Sequence, residues 1–281
     1  MKAKLLIAAL LIVLAAAFSL RLQGSGSVVR VSDGEKVSFN DMIRDVQKAD
    51  IVFVGEVHDV PQHHELELRV IRAMRASRAR LTVGLEMFRK DSQKDLDAWV
   101  AGSLPLKQFL PIYYDNWRQP WPNYREILTF ARRQRVPLLG LNIDDDITEA
   151  VAENGFASLS ALQKRQLPPG ISCDIDPTYK EFIRKAYAGH AGSADKKFQN
   201  FCEAQMVWDK AMAWSLISYL DRNPGRTVVV LAGVGHAWRR GIPEQVARQS
   251  GYNSRIIMPI VPDHIEAEAV TPSDADYVVV K

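Results

Sequence analysis

Cysteine is scarce in this chain: Cys173 and Cys202 are the only two among 281 residues. No histidine or second cysteine stands at ligand spacing from either, which excludes a cysteine-built metal centre. The two are a disulfide if the chain reaches an oxidising compartment and two buried thiols otherwise. A nucleophile motif is also lacking. There is no Gly-X-Ser-X-Gly, so any hydrolysis would have to use water as its nucleophile. Charge of one sign is not in excess either: 36 Lys and Arg stand against 33 Asp and Glu. Residues 1–21 carry Lys2, Lys4 and Arg21 and no acid, so the remainder balances at 33 against 33. A neutral domain is not a backbone-neutralising nucleic-acid binder, and no nucleic-acid partner is expected. The arginine ladder Arg69, Arg72, Arg75, Arg78, Arg80 then reads as a solvated helix face. Internal repeats and low-complexity tracts are absent.

The longest apolar run is at the start. Met1-Lys-Ala-Lys4 supplies positive charge, and Leu5 to Leu20 follows as sixteen residues with one serine. That pattern is a signal peptide or an N-terminal membrane anchor. Its length falls between a cleaved core and a span, which needs about 20 apolar residues. Ala15-Ala-Ala17 offers small residues for cleavage. No cysteine follows the run, which excludes lipid attachment at a leader cysteine. Gly24-Ser-Gly-Ser27 reads as a linker. Residues 1–27 are therefore expected to export the chain, leaving it periplasmic or membrane-anchored facing the periplasm, and residues 28–281 to form one α/β domain, since 47% apolar content over that length buries a large core.

Five short runs have strand character: Ile51 to Val54, Leu81 to Leu85, Pro137 to Leu141, Thr227 to Ala232 and Arg255 to Val261. None alternates, so both faces of each are covered. Gln62 to Arg78, with Leu66, Val70 and Met74 at helical spacing, links the first two. Phe198 to Leu220 is the best-patterned helix. Arg89 to Arg135 and Asp144 to Ala194 are too long for bare loops and read as mainly helical insertions. Tyr277 to Val280 reads as an edge strand. The fold class is a three-layer α/β domain with a mixed or mostly parallel sheet flanked by helices.

Three of only six histidines, His58, His63 and His64, fall with Asp59 and Glu65 inside eight residues directly after the first strand. Polar residues also leave three other strands at the carboxyl end: Glu86, then Asn142 with Asp144 to Asp146, then His236. In an open α/β sheet the ligand crevice lies outside those ends. Val54-Gly-Glu-Val-His58 and Ala232-Gly-Val-Gly-His236 both exit through a glycine, which lets the backbone turn and approach a ligand closely. Glu56, His58, Glu86 and His236 are the candidate catalytic set. His58 and His236 are also the candidate ligands of a divalent metal that would lower the pKa of a bound water to about 7. The bland alternative is a sheet closed by buried Glu56 and Glu86.

Several stretches together resemble the ChaN-like haem-binding uptake family of the Tiki, TraB and erythromycin-esterase-like superfamily: Ile51 to His58, Val83-Gly-Leu-Glu-Met87, Asn116-Trp with Tyr124, Leu139-Gly-Leu-Asn142, Phe201 to Ala213, and Leu231-Ala-Gly-Val-Gly-His236. The resemblance covers roughly residues 45 to 245 in order. It implies an exported haem-binding protein in haem or iron uptake; a metal-dependent protease or esterase is the alternative. Haem iron accepts His or Tyr, so the candidate ligands are His58, His236, Tyr113 and Tyr114, with His63 and His64 as further imidazoles. Met87, Phe88, Trp117 and Trp121 are candidate walls, and Arg118, Arg125 and Arg239 candidate propionate partners. A haem-bridged homodimer and a membrane contact through the N-terminal segment are the other expected partners.

Overall fold

The computed structural model describes residues 27–77, 80–188, 195–261 and 269–280. The expected leader and most of its linker lie outside those residues. Among the described residues no helix is long and apolar enough to cross a membrane.

The strands are β1 (Val28–Arg30), β2 (Lys36–Val37), β3 (Ile51–Glu56), β4 (Leu81–Arg89), β5 (Leu138–Asn142), β6 (Thr227–Gly233), β7 (Ser254–Pro259) and β8 (Tyr277–Val279). They form one sheet in the order β2-β1-β8-β7-β3-β6-β4-β5. From β8 to β5 every neighbour pair is parallel, and β1 adds an antiparallel ribbon with β2. The expected edge strand at Tyr277 is thus interior. β1 covers its free side, which leaves Tyr277, Val278 and Val279 buried. Strands of two or three residues carry too little periodicity to be seen in the sequence.

Each central strand divides its side chains between two cores, as continuous apolar runs require. Val52 and Val54 of β3 face one layer, while Ile51 and Phe53 face the other. The first layer contains α1 (Phe39–Val46), closed by a Ser38–Asp41 capping box, α2 (Pro61–Ser77), and the first insertion, α3 (Gln93–Ala101), α4 (Leu106–Asn116) and α5 (Trp121–Gln134). The second holds the C-terminal half of α9 (Asp195–Arg222) and α11 (Ile242–Gln249). The other insertion, α6 (Asp145–Asn154), α7 (Ala161–Lys164) and α8 (Pro177–Ala188), packs on the first half of α9 as a third cluster. A Cys173–Cys202 disulfide ties that cluster together.

Candidate functional site

β3, β6 and β4 lie side by side with their carboxyl ends level, Glu56 standing opposite Gly233. Past Leu85 the register of β4 against β5 shifts, so that Arg89 meets Asn142. A bulge of this kind re-aims side chains. The shift brings Arg89 so close to Gly140 that a Cβ there would lie 2.4 Å from the Arg89 carbonyl oxygen, which only glycine avoids. Glu86 sits in the shifted stretch, and its Oε2 accepts from the Gly233 N–H at 2.5 Å.

The two strand-end histidines stand on either side of Glu86. His58 Nδ1 lies 2.8 Å from Glu56 Oε1, so its N–H donates to that carboxylate. The ring stands edge-on to Trp117 with centroids 4.9 Å apart. Its Nε2 is turned toward Gly233, where an added Cβ would lie 3.4 Å from it and 3.7 Å from Glu86 Oε2. His236 is carried by the short helix α10 (Val234–Ala237) that follows β6. Its Nδ1 donates to Asp209 Oδ1 at 2.7 Å and its Nε2 faces Glu86 Oε1 at 3.9 Å. Asp209, buried midway along α9, also accepts from the Tyr179 hydroxyl at 2.6 Å.

Electrostatics follow from these pairings. Burial pushes Glu56 up, but the hydrogen bond from His58 and the close approach of the His64 imidazole outweigh it and hold its pKa at about 2. His58 is moved up against its burial by Glu56 and Glu86. For His236 the burial penalty is likewise exceeded by Glu86 and Asp209, which raise it to about 9. Both imidazoles are thereby biased toward the cationic form in a crevice whose floor is anionic.

The crevice is an open cleft of about 390 Å³. His58, Glu86 and His236 line it together with Trp117, Trp208 and Arg118. The structure therefore brings together Glu86, His58 and His236 in one cleft, with Glu56 buried directly behind His58. The tyrosines are placed differently. Tyr113 is fully buried, and its hydroxyl donates to the Gln119 carbonyl at 2.9 Å; burial pushes its phenol upward, away from the phenolate form. Tyr114 is 51% exposed and lies outside the cleft lining, and its oxygen accepts from the Trp121 N–H at 3.2 Å. His63 and His64 are buried on α2, outside the cleft lining. Met87 lines the cleft, whereas Phe88 and Trp121 belong to the core. Arg239 is paired with Asp276 at 2.8 Å and Arg125 with Glu126 at 3.2 Å.

Three polar residues received no site role from the sequence: Asp209, which lies within the stretch Phe201 to Ala213 that carries the resemblance, and Glu67 and Tyr179. Asp209 stands one helical turn from Gln205 and close to Met212 on the apolar stripe of α9, and an acid on a buried face is itself a signal. Glu67, in register with Ile71 and Met74 on α2, gives the same signal. Tyr179 gives none, because a tyrosine on an apolar face is ordinarily core.

Comparison with known proteins agrees with this architecture. A structure described as cofacial haem binding to ChaN of Campylobacter jejuni superposes with a TM-score of 0.73 at 20% identity, covering 91% of this chain and 96% of that one. An erythromycin esterase in its open conformation matches at a TM-score of 0.50 and 12% identity, over 83% of this chain and 76% of the other. At those identities the likeness is one of fold. Among curated proteins, the chloroplastic protein Reticulata-related 5 of Arabidopsis thaliana is 22% identical over 232 residues, 76% of this chain. The chain spans only 31% of that plant protein's length. The family model for haem-binding uptake proteins of the ChaN type, in the Tiki superfamily, matches residues 42–246, from α1 through β3, the insertions and β6 into α11. The chain belongs to that family.

Proposed function

We propose that this protein binds haem at the strand-end cleft, where Tyr114, His58 and His236 would hold it, and that it serves haem or iron uptake after export. Family membership is the observation that carries the haem reading. The donor set fits. Tyr114 presents an exposed hydroxyl whose oxygen accepts from a backbone N–H, Trp117 and Trp208 offer flat apolar surface, and Arg118, 88% exposed at its side chain, can swing toward a propionate from a loose 3.8 Å contact with Glu149. Bound haem would supply an iron for which Tyr114, His58 and His236 are the protein donors offered.

The cleft is open to solvent, and a second copy of the chain would cover the face of the macrocycle left open. The cofacial arrangement described for the Campylobacter protein is the proposed model for this homodimer. The leader expected at residues 1–27 would deliver the chain to the periplasm, either free or held at the membrane. The disulfide supports that destination, because such bonds persist in oxidising compartments. The hydrolase alternative rests on the two carboxylate-backed histidines alone, since the likeness to an esterase is one of fold.

Haemin titration of the mature domain, followed by absorbance and by sizing with and without haem, tests the proposal. Saturation with a shift from monomer to dimer is expected. His58→Ala and His236→Ala should each shift the Soret band or weaken retention. A spectrum and affinity unchanged in both variants would place the haem elsewhere.

A further inference from the structure

Behind the floor of the cleft, on the side of Glu56 away from His58, three more side chain atoms converge. His64 Nδ1 lies 2.8 Å from Glu56 Oε2 and 3.1 Å from Glu67 Oε2. One donor atom of each residue lies within 4.8 Å of the other two. All three residues are buried, Glu67 completely. Two of the carboxylate oxygens there, Glu56 Oε2 and Glu67 Oε1, are buried without a hydrogen bond. The short Glu56–His64 approach is off the line of the ring N–H, which points to Glu67. Buried carboxylate oxygens are ordinarily satisfied, so two in one place require an explanation.

The surrounding contacts are those of a metal ligand set. A histidine ligand characteristically donates its other ring N–H to a backbone carbonyl or carboxylate, which fixes the tautomer. His64 Nε2 lies 3.1 Å from the His58 carbonyl oxygen; with the proton there, the Nδ1 lone pair faces the two glutamates. The outer oxygen of Glu56 is fixed as well, accepting from Tyr124 at 2.7 Å and from His58 at 2.8 Å. We infer that Glu56, His64 and Glu67 form a buried site for a first-row divalent cation, Zn²⁺ foremost, with Glu56 Oε2, His64 Nδ1 and both Glu67 oxygens as its ligands.

One imidazole and carboxylate oxygens suit Zn²⁺ or Mn²⁺ at about 2.0–2.2 Å, so the donor atoms need to part by only a few tenths of an ångström. Charge balance supports the assignment. With both carboxylates ionised and the imidazole neutral, the three ligands carry two negative charges, and a divalent cation balances them so that the buried net charge is zero. It thus avoids the desolvation penalty that an uncompensated ion would meet. The site is separate from the cleft pair His58 and His236. It touches the cleft through Glu56, which the ion would lock and which in turn orients His58.

Metal content of the full mature chain decides the matter independently of haem. After chelator treatment and desalting, the parent is incubated with Zn²⁺, Mn²⁺ or Co²⁺, desalted again and analysed by inductively coupled plasma mass spectrometry. The parent should keep about one equivalent of Zn²⁺, because a buried ion exchanges slowly. His236→Ala should keep the same amount, and Glu67→Gln should keep less than about a tenth of an equivalent. If Glu67→Gln does not fold, Glu67→Leu makes the same comparison with an apolar side chain of similar size. Failure of the parent to hold any of the three ions, retention by the Glu67 variant, or loss in His236→Ala would each overturn the inference.

Discussion

The ends of β3 and β6 carry the same local device, a glycine-bearing strand exit followed by a histidine, yet they back that histidine differently. At β6 a single helix acid, Asp209, serves His236 on one oxygen and Tyr179 on the other, and the pair is closed. At β3 the acid belongs to the strand itself. Glu56 serves His58 and Tyr124 on one oxygen and turns the other toward His64 and Glu67 on α2. His236 is accordingly the more enclosed, with 14% of its side chain exposed against 33% for His58. A histidine with a carboxylate oxygen to itself is held in place. One whose partner is shared responds to whatever happens behind it. The β6 end is thus the fixed wall of the cleft, and the β3 end is the side on which the proposed haem and the proposed buried cation would be coupled.

Replacing the two acids breaks the comparison most severely. Glu56→Ala leaves His58, Tyr124 and a buried charged His64 without their partner, and Asp209→Ala leaves His236 and Tyr179 so. Losing one member of a buried charged pair costs about 3–5 kcal/mol. Urea unfolding should place Glu56→Ala at or beyond the top of that range and Asp209→Ala nearer its base. Equal losses would show that the extra contacts behind Glu56 contribute nothing.

Alkaline pH should act next. His236 and His64 are raised from 6.5 to about 9 and about 10 in the folded chain. Their contribution to stability is therefore complete below about pH 6.5 and is lost as pH rises through 9 and 10. Burial pulls Asp209 upward even as His236 pulls it down, which offsets part of the gain at that pair. A net loss of about 2 kcal/mol between pH 7 and 10 is expected for His236, at roughly 1.4 kcal/mol for each tenfold change in proton affinity. Calorimetry across that window checks it, and a flat profile would contradict the assigned pairing.

Smaller changes sharpen the contrast. Tyr179→Phe and Tyr124→Phe each remove one hydroxyl from a carboxylate, worth about 1 kcal/mol or somewhat more. Each should leave its acid with a single hydrogen-bond donor, His236 for Asp209 and His58 for Glu56. Gly233→Ala tests the space between the two ends: the new Cβ would stand 3.0 Å from His58 Cε1, a ring able to swing away. Stability should fall by less than about 1 kcal/mol, while the imidazole signals of His58 in NMR move and those of His236 do not.

The parallel core and its crevice were legible because long buried strands read as continuous apolar runs and end in polar exits. Ile51 to Glu56 and Thr227 to Gly233 stand out for that reason. The β1–β2 ribbon did not, being too short to carry a pattern, and without it β8 reads as an edge. Glu56, Glu86, His58 and His236 were legible as strand-end residues. Their partners were not, since Asp209, Tyr179 and Glu67 come from helix faces whose rotation is set only when the layers pack. Tyr113 and Tyr114 are neighbours in sequence with opposite fates, because successive helical residues point about 100° apart and only one of them meets solvent.

Haemin titration of the parent beside Tyr114→Phe and Tyr113→Phe tests haem binding at this cleft most directly. The account predicts a saturable Soret band in the parent, retained in Tyr113→Phe and lost or strongly shifted in Tyr114→Phe. No saturable band in the parent, or an unaltered one in Tyr114→Phe, would contradict it.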